Sequence, residues 1–190
     1  MALTVYTAPT SEPVSVEEAK VHLRVTDDDA GDDAYIGTLV SAAREYCERF
    51  CRRTFPTTTL RLTLDRFPPN ARAIVVPYPP LVSVSSITYS DPNGTTQTLS
   101  ANQYVVDNQS EPGRIVPAYS LVWPTTRGLV NDVTVILIAG SATVRASVKQ
   151  AILLLVGHWY EHRESVVVGT INSTLEQAVE SLLWTERHEI

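Results

Sequence analysis

Hydrophobic positions change period twice along the chain, and the changes divide it into three stretches. In the first, Val16, Ala19 and Leu23 recur at helical spacing behind Ser15-Val16-Glu17-Glu18. That tetrad is a capping box: the Ser15 hydroxyl accepts from the Glu18 backbone N–H, and the Glu18 carboxylate reaches back to Ser15. The acidic run from Asp27 to Asp33 interrupts this helix and supplies carboxylates to the start of the next, where the helix macrodipole favours them. From Tyr35 onward Ile36, Leu39, Val40, Ala43, Tyr46, Cys47 and Phe50 recur at three and four, the mark of an amphipathic helix. Arg44, Glu45, Glu48, Arg49 and Arg52 fall mostly on its other face.

In the second stretch the period drops to two. Leu60, Leu62 and Leu64 alternate with Arg61, Thr63 and Asp65, a half-buried strand. Residues 73–76 form a short apolar run stopped by Pro77-Tyr78-Pro79-Pro80, and residues 82–89 are rich in β-formers. Asp91-Pro92-Asn93-Gly94 predicts a turn, with 95–99 returning as the second arm of a hairpin. A second hairpin is predicted for 104–107 and 114–116 around Ser110-Glu111-Pro112-Gly113. The continuous run 133–138 predicts a central strand.

Helical spacing returns in the third stretch. Val148, Ile152, Leu155, Val156 and Trp159 share one face of a helix over 144–163, and Ala151, Leu153 and Leu154 widen it until most sides need cover. A valine-rich connection over 164–172 follows, and Ser173-Thr174-Leu175-Glu176 is read as a capping box opening a last helix through Trp184. The expected fold class is therefore α+β, a small helical bundle from the N- and C-terminal regions with a β-rich middle insertion. Its expected parts are residues 1–54, 55–140 and 141–190.

Composition narrows the function classes. Of 190 residues, 44% are hydrophobic and 19% charged, which suits a globular core and argues against disorder. Acidic side chains outnumber basic ones 21 to 15, for a formal charge of −6, so tight gripping of duplex DNA through phosphate contacts is not expected. Cys47 and Cys51 are too few for a disulfide framework. No apolar run is long enough for a bilayer span, and the first residues lack the basic start and apolar core of a signal peptide, which predicts a reducing cytoplasm and no membrane partner.

Candidate chemistry is sparse. His158-Trp159-Tyr160-Glu161-His162 matches H-x-x-E-H, in which two histidines on one helix face share zinc and the glutamate acts as base, so a zinc-dependent hydrolase using His158, Glu161 and His162 is the enzymatic alternative. It needs a third ligand; the plain reading is the wet end of an amphipathic helix. Cys47 and Cys51 are also four apart, and with His158 and His162 they would make a Cys₂His₂ site if the two helices opposed those faces. The alternative is a core cysteine and a partly buried thiol at the helix end. The acidic run lacks the glycine and glutamate of a calcium loop. With no nucleotide or hydrolase fingerprint, no catalytic residue, metal or cofactor is expected.

Several segments in succession resemble the head–tail connector (adaptor) family of tailed bacteriophages, including its prophage and gene-transfer-particle members. They run from Thr7-Ala8-Pro9 and Glu12-Pro13-Val14-Ser15-Val16-Glu17-Glu18-Ala19-Lys20 through Ala43-Arg44-Glu45-Tyr46-Cys47-Glu48, Pro77-Tyr78-Pro79-Pro80-Leu81, Ser110-Glu111-Pro112-Gly113-Arg114 and Trp123-Pro124. The helix around His158-Trp159-Tyr160-Glu161-His162-Arg163-Glu164 carries the strongest likeness. The resemblance implies a structural, non-enzymatic subunit of the virion neck, in a ring of about twelve copies closed by heterologous contacts. Such a ring sits beneath the portal protein, meets a stopper or tail-side protein, and lets DNA pass through its channel without specific binding. A stopper or tail-completion protein is the other virion role considered. The exposed apolar character of the connection after the long helix assigns the partner interface, with portal or a neighbouring subunit, to Arg163, Glu164, Val166, Val167, Val168, Ile171 and Trp184.

Overall fold

The computed structural model describes residues 1–25, 30–162 and 172–188. The chain divides into two compact units, a β unit of Met1–Thr10 with Thr57–Ser141 and a helical unit of Ser11–Pro56 with Ala142–Ile190.

The β unit holds eight strands: β1 (Ala2–Thr7), β2 (Thr58–Leu64), β3 (Ile74–Val75), β4 (Leu81–Ser90), β5 (Thr96–Thr98), β6 (Tyr104–Asp107), β7 (Arg114–Pro117) and β8 (Val133–Ala139). Five pair antiparallel in the order β1-β2-β8-β4-β5, and β3-β7-β6 form a second sheet. β8 lies between β2 and β4, with Leu60 opposite Leu137 and Leu62 opposite Val135. Its Val133, Val135, Leu137 and Ala139 are buried while the residues between them are half-buried, so the run predicted as a central strand still keeps two unequal faces. Ile74 and Ile115 of the smaller sheet, with Val76 just past β3, join Leu62, Ile87, Val135 and Leu137 in one core. The β4–β5 turn forms as its sequence requires. Asp91 Oδ1 accepts from the N–H groups of Asn93 and Thr95, both at 2.9 Å, and Gly94 supplies the positive φ of 90°.

The division at residues 1–54 and 55–140 does not anticipate β1, which pairs with β2 and so belongs to the β unit. Leu3-Thr4-Val5-Tyr6 has strand-forming composition, but an edge strand with only Leu3 half-buried shows no clear alternation.

The helical unit comprises α1 (Val16–Leu23), α2 (Asp33–Cys51), α3 (Ala146–Glu161) and α4 (Asn172–Leu183). The capping box at Ser15 forms as predicted, with both reciprocal hydrogen bonds present. Ser173 falls inside α4 rather than ahead of it, so the second predicted box marks the helix start late. Ile36, Val40, Ala43, Cys47 and Cys51 of α2 pack with Val148, Ala151, Ile152 and Val156 of α3, and Val179 and Leu183 of α4 close the core. Each large aliphatic side chain so buried is worth about 1.5–3 kcal/mol.

Candidate functional site

The His158, Glu161 and His162 side chains lie in the last turn of α3 and just beyond it. The two imidazoles tilt against each other at 31° with centroids 4.6 Å apart, and His162 Nδ1 is 3.0 Å from the His158 carbonyl oxygen. Since a carbonyl only accepts, Nδ1 carries the proton and the ring caps the helix end. Neighbouring Tyr160 donates to the Asp32 carboxylate and tilts against Tyr35, ring centroids 6.1 Å apart, which ties this end of α3 to the start of α2.

Among the described residues no group of three or more His, Cys, Asp or Glu side chains is placed to hold a metal ion. The third ligand that the hydrolase reading requires is therefore not supplied by them, and Cys47, Cys51, His158 and His162 are not brought together. Cys47 and Cys51 are fully buried in the core, and burial pushes both thiols up to about 12. A metal ligand needs the opposite shift, toward thiolate. Cys51, expected to be only partly buried, is covered because the tail crosses it: its Sγ lies 3.8 Å from the Leu183 carbonyl, and the His188 N–H donates to the Cys51 carbonyl at 2.8 Å.

Of the predicted interface residues, Arg163, Glu164, Val166, Val167, Val168 and Ile171 lie outside the described residues. Trp184 is described and is 61% exposed. It begins a single 3₁₀ turn after α4, and the Arg187 guanidinium lies 5.6 Å from its ring and 5.7 Å from that of Phe50. The same turn is anchored inward by Glu186, buried and paired with Arg145 at 2.9 Å.

Two features escape the sequence reading. The first is a groove of about 760 Å³ in the β unit, between the segments 65–71 and 122–130. Phe67 and Trp123 stack at 5.0 Å in it, and the Trp123 indole N–H donates to the Arg72 carbonyl at 2.8 Å. Val122, Leu129 and Val130 stand exposed around it. Pro68-Pro69 and Trp123-Pro124 signal loops in the sequence; the apolar residues scattered through 119–130 carry no period that would announce a surface.

The second is a buried ionic knot on α2. Arg44, placed by periodicity on the outer face, is 8% exposed. Its Nε donates to Glu12 Oε2 and its Nη1 to Glu48 Oε2, each at 2.7 Å. Glu48 Oε1 accepts from the Phe55 N–H at 2.9 Å, and Glu12 Oε1 from the Ser41 hydroxyl at 2.9 Å. The two carboxylates raise the Arg44 pKa despite its burial, the largest opposing influence.

The head completion protein family model matches residues 13–179, and the chain belongs to that family. Solved structures share the fold along its whole length. The neck of an empty gene transfer agent (GTA) particle, computed with C6 symmetry, matches with a TM-score of 0.79 at 22% identity, covering 100% of this chain and 97% of that chain. The neck of the native GTA particle computed with C12 symmetry matches at 0.77 and 20% identity, and the native GTA virion at 0.77 and 21%, with the same coverage. The resemblance to head–tail connectors, gene-transfer-particle members included, is borne out. No curated protein matches the sequence. No helix among the described residues is long and apolar enough to cross a membrane.

Proposed function

We propose that this head completion protein is a ring-forming, non-enzymatic subunit of the head–tail junction, seated beneath the portal and joined on its other side to a stopper or tail-side protein. DNA leaves through the ring without being held. The observation that carries the reading is the family match over 13–179 together with a fold shared, end to end, with subunits of particle necks, one of them computed with C12 symmetry. The formal charge of −6 suits a channel that lets phosphate slide past. Exposed Trp184 and the valine-rich stretch from Val166 to Ile171 supply apolar contact area for the portal or a neighbouring copy.

The test is a reconstruction of purified particles that locates this chain. The expected result is a ring between the portal and the tail-side proteins, one that fails to form with Val166→Asp, Val168→Asp and Trp184→Ala combined. A neck without this chain would overturn the assignment. So would turnover of a substrate abolished by His158→Ala.

A further inference from the structure

Two helices of the helical unit share an outer surface whose charge changes sign along its length. α2 and α4 run in the same sense there. Tyr46 lies beside Glu176 and Glu180: burial first, and then these two charges, hold its hydroxyl above the usual range. Farther along both helices, Cys51 Sγ lies 3.8 Å from the Leu183 carbonyl. Glu45, Arg49 and Arg52 follow at helical spacing on the side of α2 away from the core, all exposed. Glu176 and Glu180 are exposed on α4, and exposed Trp184 and Arg187 come just past it. On both helices, then, the carboxylates come first and the guanidiniums last. Half-buried Phe50 lies beneath the late end, against Arg187. Glu45 makes only a loose contact with Arg44, at 3.6 Å. Among the described residues Arg49, Arg52, Arg187, Glu176 and Glu180 have no ion-pair partner.

Such a surface is complementary to itself once it is turned end for end. A two-fold axis through its middle lays each acidic half on the other copy's basic half, whereas an approach in the same sense sets like on like. Nucleic acid fits only half of it. Exposed charges act over roughly 8 Å at physiological salt, so a phosphate chain following the guanidiniums would soon run onto the carboxylates.

We propose that the outer α2–α4 surface is a two-fold docking face for a second copy of this chain, in which Glu45, Glu176 and Glu180 of each copy meet Arg49, Arg52 and Arg187 of the other and both Trp184 side chains are covered. Charge complementarity identifies the occupant, because the matching acids and bases stand on one face of one polypeptide. Trp184 and the arginines supply the side-chain types that dominate contact energies, and the carboxylates fix the orientation. A two-fold contact is complete at two copies and cannot close a ring, whose contacts are heterologous. The pair therefore belongs to the chain before assembly: it keeps Trp184 covered and parts when the ring forms. The pairing stands without the ring reading; this role in assembly rests on it.

Sedimentation of the purified full chain, from about 1 to about 200 µM, tests this. The expected result is a monomer–dimer equilibrium that shifts toward monomer as salt rises from about 50 mM to about 500 mM. Two charge reversals are compared with it: Arg49→Glu with Arg187→Glu, and Glu176→Arg with Glu180→Arg. Each alone is expected to weaken pairing by about tenfold or more, since both halves of the contact then set like charges together. An equimolar mixture of the two should pair again, because every reversed site then faces an opposite charge. Circular dichroism checks that each variant folds, and Trp184→Ala, which leaves every charge in place, should weaken pairing as well. A wild-type chain that stays monomeric throughout, a dimer that survives both reversals, or folded variants that fail to pair when mixed would overturn the inference. Growth past the dimer into larger species would mean a head-to-tail contact and overturn it equally. So would binding of a duplex DNA oligonucleotide that the arginine reversal abolishes while self-association stays intact. A neck reconstruction without a ring of this chain would remove the ring reading and the role in assembly, and would leave the measured pair standing.

Discussion

Replacing Arg44 with methionine removes the centre of the α2 knot while keeping much of its apolar stem. Two charge-assisted hydrogen bonds of 2.7 Å are lost, to Glu12 and Glu48. At about 1.5–3 kcal/mol each they sum to roughly 3–6 kcal/mol. The upper part of that range needs fully buried partners, and the Glu12 and Glu48 side chains retain 27% and 16% of their exposure, so water relieves some of the cost. The expected loss is about 3 kcal/mol, at the low end of what breaking a buried ion pair costs. With a urea dependence of about 2 kcal/mol per molar, the unfolding midpoint of the helical unit should fall by roughly 1.5 M. Hydrogen exchange of α2 amides, followed separately from β8 amides, assigns the loss to the correct unit. Adding Glu12→Gln and Glu48→Gln should recover most of the stability, because no unpaired charge is then left behind. A midpoint shift under about 0.5 M, or no recovery in the triple variant, would refute the reasoning.

Further outcomes follow from burial. Because the Cys47 and Cys51 thiols sit near 12 in the fold and near 9.0 when unhindered, their contribution to stability is complete below about pH 9 and is lost as pH rises toward 12. Urea midpoints measured across that window should fall, and fall less in Cys47→Ala with Cys51→Ala; iodoacetamide should label neither thiol in the native state at neutral pH. Gly113→Ala should cost about 1–3 kcal/mol in thermal unfolding, since a Cβ there would stand 2.5 Å from the Leu81 Cβ. Leu137→Ala, in the fully buried centre of β8, should cost about 2–5 kcal/mol, with unchanged stability of α2 amides if the β unit unfolds independently.

Where local chemistry decides structure, the sequence was readable. Ser15 and Glu18 cap α1 because the four residues that make the box are contiguous. Asp91 and Gly94 make their turn for the same reason, and β8 announced its central place by its unbroken run of apolar and β-branched residues. Periodicity failed where a partner far along the chain changed the meaning of a position. Arg44 looks like a solvated face until Glu12, 32 residues earlier, reaches it. Cys51 looks like a frayed helix end until the tail near Leu183 covers it. β1 was missed because an edge strand buries too little to alternate. The groove beside Trp123 was invisible because loops that fold around an aromatic stack obey no period. Of the candidate interface, only Trp184 could be placed, and it stands exposed.

The polypeptide passes between its two units three times, after residues 10, 56 and 141. The strand laid down first, β1, is a member of a sheet whose other strands come more than fifty residues later. The β unit is therefore not a cassette that one recombination event can lift out. Excising residues 57–141 alone would orphan β1, while keeping them without residues 1–10 would bare the flank of β2, a hydrogen-bonding edge open to mispairing with other chains. Removing the β unit from this chain would take changes at two distant places in the gene, and any attempt to graft it onto a simpler scaffold has to carry both pieces.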